Sequence, residues 1–245
     1  MANDEDNVVE LWVREETPLL KVRVAPNQHI QIAQYGSDDD RWGIYSCIWD
    51  GGLGLVEYFR RHEGFSRDAL VVDLGSGTGV VGLGMAASGY SNIVVTDLQD
   101  ALGLMEENVN LNPALSVAVE ELAWGETLPT SIEERIACAR EILVVGADIV
   151  YRKHLFDPLL TTLETLWSSK VKCVIATQST RFHLDEFYRQ ALERGFKKTH
   201  LANVIVPQGM SDELPEVVPH SDDKETGVIH ILELSRVSLG TSESR

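Results

Sequence analysis

Nine consecutive residues constrain this chain most: Val71-Val72-Asp73-Leu74-Gly75-Ser76-Gly77-Thr78-Gly79. A short apolar run reads as a buried strand, and Thr78 to Ser88 reads as the helix that follows, stopped by Gly89. Glycines at such a turn let the backbone bend tightly and come close to a ligand. No Gly-Lys-Ser/Thr closes the motif, so it is not a phosphate loop. The dinucleotide pattern also fails, because Val80 occupies its third glycine place. What remains is Asp-x-Gly-x-Gly-x-Gly. The carboxylate of Asp73 repels a pyrophosphate but not a sulfonium carrying an amino-acid ammonium. A second acid, Asp97, ends the next strand 22 residues after Gly75, where it can accept hydrogen bonds from ribose hydroxyls. An adenosine without phosphates and with a cationic tail describes S-adenosylmethionine. The plainer alternative is a strand–helix turn that binds nothing.

The flanking pattern extends this unit into an α/β chain. Strands are expected at Leu70–Leu74, Asn92–Thr96, Leu115–Val119, Glu141–Ala147, Val171–Ala176, Phe196–Ala202 and Val228–Leu234. Helices lie between them. One runs to Asn110 with Asp100 as its cap, and one starts at Asp157 with Pro158 in its first turn. Leu159, Leu160, Leu163, Leu166 and Trp167 fall on one face of the latter, and Leu184, Phe187, Tyr188 and Ala191 on one face of the next, which Gly195 ends. Upstream, Val8–Val13, Leu19–Val24 and His29–Ala33 read as short strands, with a turn at Pro26-Asn27 and a polar break at Ser37–Asp40. Residues 203–227 hold six acids and one lysine and read as a long loop, either a binding loop or a disordered one. The expected division is a β extension over 1–43, a core domain over 44–237 and a polar tail over 238–245.

Charge excludes some partners. Acids number 38 and bases 21 among 245 residues, a net −17. A chain of this sign repels nucleic-acid backbones and favours a basic or lysine-bearing protein surface, although acidity serves solubility as well. No run of 18 apolar residues suggests a membrane span, and the acidic N-terminus lacks the pattern of a targeting signal. Cys47, Cys138 and Cys173 are too few and too scattered for a disulfide or zinc framework. No metal ligands are expected. A reducing compartment fits, the cytoplasm first and the nucleus second.

Further site residues follow from position. Ligands of open parallel sheets bind at the carboxyl ends of the strands, so Asp148 and Tyr151, which follow the fourth strand, should face the site; the plainer alternative is a generic strand-end acid and a packing tyrosine. Trp124 follows the third strand, where it either stacks on an adenine or anchors the core. Trp49 precedes a helix and, on its own, reads as a core residue.

Taken together, Ile48-Trp49-Asp50, Asp73–Gly79, Val95–Leu98, Asn108–Asn112, Trp124-Gly125-Glu126 and Ala147–Tyr151 resemble the methyltransferase-16 family of seven-β-strand protein methyltransferases. Its methyltransferase-like-21 group of protein-lysine methyltransferases looks nearest. The resemblance implies a Rossmann-like fold: a mostly parallel seven-stranded sheet with helices on both faces, and a last strand that returns antiparallel. It implies that Trp49, Asp73, Gly75, Ser76, Gly77, Asp97, Trp124 and Ala147 contact S-adenosylmethionine, and that Asp148 and Tyr151 border the target side chain. The β extension is expected to cover one end of the cofactor site. The activity implied is methyl transfer to a lysine of a protein by a monomeric enzyme. Transfer to a protein histidine or a small amine, or cofactor binding without turnover, are the alternatives.

Overall fold

The computed structural model describes residues 18–25, 28–35, 43–178, 183–206, 216–218 and 228–236. The expected strand at Val8–Val13, the turn at Pro26-Asn27, the break at Ser37–Asp40 and the C-terminal tail lie outside the described residues.

Two β-strands come first, β1 (Leu19–Ala25) and β2 (Gln28–Ala33). There follow α1 (Asp50–Arg61), β3 (Leu70–Leu74), α2 (Val80–Ala87), β4 (Asn92–Asp97), α3 (Gln99–Leu111), β5 (Ala118–Glu121), α4 (Thr130–Cys138), β6 (Ile142–Ala147), α5 (Phe156–Leu166), β7 (Val171–Gln178), α6 (Leu184–Glu193), β8 (Phe196–Ile205), β9 (Glu216–Val218) and β10 (Val228–Arg236). The main sheet has the order β5-β4-β3-β6-β7-β10-β8-β9. Strands β5, β4, β3, β6 and β7 are parallel, and β10 runs antiparallel between β7 and β8. The seven expected strands are therefore present, with the short β9 added antiparallel on the edge of β8. The expected long loop is corrected at both points of that pairing: Asn203–Ile205 continues β8, and Glu216–Val218 folds back on it.

Side-chain alternation divides the core into two layers. Val71, Ile93, Val95, Leu143 and Val145 meet Leu55 and Phe59 of α1, Leu83 and Met85 of α2, and Met105 of α3. Leu70, Val72, Val94 and Val144 face the other way, onto Ile132 of α4, Leu159, Leu160 and Leu163 of α5, and Phe187 of α6. Each such fully buried side chain contributes about 1.5–3 kcal/mol relative to an exposed one. Close packing of α2 on the sheet depends on Gly82, where a Cβ would lie 2.2 Å from Val95 Cγ1. The dinucleotide fingerprint reserves a glycine for this contact at the place Val80 holds; here the contact is made two residues later.

Several helix starts differ from expectation. Thr78 and Gly79 belong to the turn, and α2 begins at Val80. Asp100 does not cap α3: the flanking residue is Leu98, whose N–H is taken by Asp97 Oδ1 at 2.8 Å. Asp100 instead sits in the first turn, where a negative charge still suits the helix dipole. Likewise α5 begins at Phe156, because a 3-10 turn over Lys153–Leu155 leads straight into it; Asp157 lies inside the first turn and bonds Arg194. The third parallel strand starts at Ala118 and not at Leu115, whose N–H closes a turn on Asn112 O at 2.9 Å.

The β1–β2 hairpin is antiparallel and buries Leu20, Val24, Ile30 and Ile32 in the first core layer. Two asparagines one helical turn apart on α3 hold its inner strand. Asn108 accepts from Ala33 N at 2.6 Å and donates to Ala33 O at 3.1 Å, while Asn112 accepts from Gln31 N at 2.9 Å and donates to Gln31 O at 2.7 Å. Asn108 Nδ2 also reaches Thr78 O at 2.9 Å, tying the hairpin to the glycine turn. Buried amides persist in cores when their donors and acceptors are matched in this way.

Candidate functional site

The chain passes from β3 outward to β4 and β5, then returns to β6 on the other side of β3. The turns leaving β3 and β6 therefore diverge and open a crevice at the carboxyl ends of the strands. A cavity of about 270 Å³ fills it. All ten predicted site residues line it: Trp49, Asp73, Gly75, Ser76, Gly77, Asp97, Trp124, Ala147, Asp148 and Tyr151.

The floor is the turn after β3. Gly75, Gly77 and Gly79 have φ of 64°, 56° and 77°, the left-handed region that a side chain disfavours. At Gly75 a Cβ would also lie 2.8 Å from the Trp124 ring and 3.0 Å from Ile149. Ser76 pins the turn to β4: its N–H donates to Thr96 O at 2.9 Å and its Oγ accepts from Thr96 N at 3.0 Å. Asp97 Oδ2 accepts from Gly77 N at 2.8 Å. Asp97 thus shapes the turn with the same carboxylate that was expected to face a ribose, and each oxygen keeps a second lone pair for that use. Burial raises its pKa, while the two backbone N–H bonds work against the rise.

Asp73, the acid before the glycines, is also perturbed. It is 1% exposed, and burial pushes its pKa up to about 7. Oδ2 accepts from Gly82 N at 3.3 Å, whereas Oδ1 has no partner. A buried carboxylate oxygen without a donor is costly, and it is a ready acceptor for a cationic donor placed in the cavity.

The roof comes from distant parts of the chain. Residues Ile44, Tyr45, Cys47 and Trp49 line one side, and Trp49 Nε1 donates to Ile44 O at 3.1 Å. No described residue of β1 or β2 lines the cavity, so the expected cover falls to the segment after the hairpin. Opposite lie Ala147, Asp148 and Tyr151. Asp148 adopts φ 53°, unusual for a residue with a side chain. Its N–H prolongs the β6–β7 ladder onto Ala176 O at 2.8 Å, and its Oδ2 accepts from Gly51 N in the first turn of α1 at 2.8 Å. A Cβ on residue 51 would lie 2.6 Å from that oxygen, so only glycine admits this seat. Burial, with Tyr45 and Asp97 nearby, raises the Tyr151 hydroxyl pKa and keeps it a donor at neutral pH. Trp124 packs on the second core layer and also walls the cavity.

A family profile described as lysine methyltransferase matches residues 25–194. The chain belongs to that family. It is 33% identical over 159 residues to the EEF1A lysine methyltransferase 3 of Mus musculus, covering 64% of this chain and 66% of that one. It is also 33% identical over 174 residues to the protein N-lysine methyltransferase METTL21A of Danio rerio, covering 69% and 75%. The chain thus spans about two thirds to three quarters of the length of these relatives. Among solved structures, a TehB-like SAM-dependent methyltransferase from Corynebacterium glutamicum overlays with a TM-score of 0.49 at 13% identity, over 76% of this chain and 88% of that one.

Sequence reasoning missed two features of this site. Tyr45 lines the cavity, but it lies in no motif whose spacing announces it. Gly51 had a visible signal: the pair Gly51-Gly52 in the first turn of a helix makes sense where another segment must approach the backbone.

Proposed function

We propose that this protein transfers a methyl group from S-adenosylmethionine to a lysine side-chain nitrogen of a protein substrate. The observation that carries the reading is Asp73 Oδ1, a buried acceptor without a donor beside the left-handed glycine turn. It suits the amino-acid ammonium of the cofactor and would be ill placed against a phosphate. Asp97 would take the ribose hydroxyls, and Trp124 with Trp49 would wall the remainder. When bound, the cofactor supplies a methyl group made electrophilic by a sulfonium.

The chain's own residues then have two tasks. The first is to hold the acceptor nitrogen in line, which is worth many orders of magnitude in effective concentration. Asp148, fixed by Gly51 and by the strand ladder, orients the amine. The second is to favour a neutral amine, since free lysine titrates near 10.4. Tyr151 and the apolar parts of the roof exclude water, which lowers that value. Membership of a lysine methyltransferase family favours lysine over histidine or a small amine as acceptor. The cytoplasm is the proposed compartment, and a single chain the proposed unit.

Two measurements test this. Saturating S-adenosylhomocysteine at 100 times its dissociation constant should add about 2.7 kcal/mol and raise the melting temperature by roughly 5–10 °C. Tritium from the labelled cofactor should then appear in protein bands of a lysate and, after hydrolysis, in methyl-lysine. Label recovered in methyl-histidine or in the small-molecule fraction would replace the lysine reading.

A further inference from the structure

The mouth of the cavity carries a charge opposite to that of the chain. Against a net −17, the three residues after Tyr151 are Arg152, Lys153 and His154, all exposed. Arg152 lines the cavity, its guanidinium 5.9 Å from the centre of the Tyr151 ring. Many other basic side chains of the described residues are matched to acids: Arg60 and Arg61 to Glu57, Lys172 to Glu141, Arg189 to Glu186 and Glu193, Arg194 to Asp157 and Glu164. Those pairs engage the acids near Lys153, while Asp97 and Asp148 lie inside the cavity. Glu186, which feels the charge of Lys153, is held by Arg189 and Gln190, and Asp157 by Arg194. Among the described residues, Arg152, Lys153 and His154 form no ion pair. Adjacent like charges repel, and an incoming anion relieves them. Two exposed apolar side chains, Leu98 at 41% and Trp49 at 37%, border the same mouth.

We propose that this rim docks a protein segment that carries carboxylates beside its target lysine. The inference rests on the protein-lysine reading and adds the local chemistry of the epitope. The lysine enters toward Asp148, and a flanking acid meets Arg152 and Lys153. Leu98 and Trp49 take the apolar part of the segment. A nucleic acid fits less well, because a long polyanion would be repelled by the rest of this acidic chain. A short acidic segment confines its charge to the rim.

The test uses the full chain saturated with S-adenosylhomocysteine and two fluorescent peptides of about 15 residues. Each has one central lysine; one has Asp and Glu flanks, the other Arg flanks. The acid-flanked peptide should bind about tenfold tighter at low salt, and the preference should shrink toward unity as added salt shortens the screening length. Lys153→Glu, an exposed change that should leave the melting temperature in place, should cut the preference several-fold, and Arg152→Glu/Lys153→Glu should invert it. Equal binding, tighter binding of the Arg-flanked peptide, or no binding of either overturns the inference. So does tighter binding of a single-stranded oligonucleotide than of the acidic peptide. Methyl transfer is scored separately. An acid-flanked peptide that binds but is never methylated sinks the lysine reading and leaves the rim standing. Methylation without any acid preference does the reverse.

Discussion

The floor and the roof of the cavity are built on different length scales. In the floor, Gly82 meets Asp73 across 9 residues, and Ser76 meets Thr96 and Gly77 meets Asp97 across 20. A single strand–turn–helix–strand unit therefore contains all of it. In the roof, Gly51 meets Asp148 across 97 residues and Gln178 meets Asp50 across 128. Those contacts exist only after β6 and β7 have joined the sheet and α1 has packed over it. On the proposed reading, the glycine-turn side that would hold the cofactor is thus a local device, and the Asp148 side that would take the acceptor is a consequence of the completed fold. Substitutions at Gly51 and Asp148 in the roof should impair transfer and spare cofactor binding; those in the floor should do the opposite.

The largest expected effect falls on the roof. Asp148→Ala removes the carboxylate proposed to orient the amine and should lower kcat on the order of 100-fold, the size typical of a lost positioning or electrostatic group. S-adenosylhomocysteine affinity, read by calorimetry, should stay within a few-fold. An equal loss of both would erase the division between floor and roof.

Next comes Asp73→Asn in the floor. It should weaken S-adenosylhomocysteine binding about tenfold, as expected for loss of a charge-assisted hydrogen bond. The variant also has a pH signature. With its pKa raised to about 7 in the fold and about 3.9 when unfolded, Asp73 binds a proton in the native state that the unfolded state has released. Its contribution to stability is full below about pH 4, falls as pH rises toward about 7, and is flat above. Melts of the ligand-free protein should show that decline, and Asp73→Asn should flatten it. Affinity of the wild type for the cationic ligand should rise over the same window, since binding needs the ionised form.

The same contrast of scales decides what the sequence reveals. Asp73, Gly75, Ser76, Gly77 and Asp97 announce themselves because their roles are fixed by neighbours within one βαβ unit. Trp49, Asp148 and Tyr151 are reached only through strand-end position and family resemblance. The Gly51–Asp148 contact escapes both routes, since no local pattern states which segment will press on a glycine. Helix starts go astray for a related reason: α3 begins at Gln99, which leaves Asp100 inside its first turn, and the turn over Lys153–Leu155 starts α5 one residue before Asp157. Edge strand β9 has no periodicity to read in three residues.

Gly51→Ala should lower kcat about five-fold by pushing the Asp148 carboxylate off its seat, with cofactor affinity little changed. Coupling sharpens the prediction. A Cβ at position 51 meets Asp148 Oδ2 at 2.6 Å and Cγ at 2.9 Å, and both atoms vanish in Asp148→Ala. The double variant should therefore be no slower than Asp148→Ala alone, a strongly non-additive cycle, with a small further loss of stability from the 3.2 Å approach to Asp148 N that remains. Additive losses would mean that Gly51 serves α1 itself and does not act through the roof.

The smallest effect should come from the hairpin that braces both parts. Asn112 and Asn108 hold Gln31 and Ala33 from the same face of α3, but only Asn108 also bonds Thr78 in the floor. Asn112→Ala removes a part-buried pair of bonds to Gln31 and one to Asn108 O, and should cost about 1 kcal/mol net. That amounts to a drop of roughly 2–4 °C in melting temperature. Cofactor affinity should not change, because the Thr78 carbonyl keeps its donor. If Asn112→Ala weakens S-adenosylhomocysteine binding as much as it lowers stability, the hairpin is part of the floor and the floor is not the local device described above. If Asn108→Ala, measured beside it, loses cofactor affinity while Asn112→Ala does not, the single bond to Thr78 is the link through which the N-terminal strands support the site.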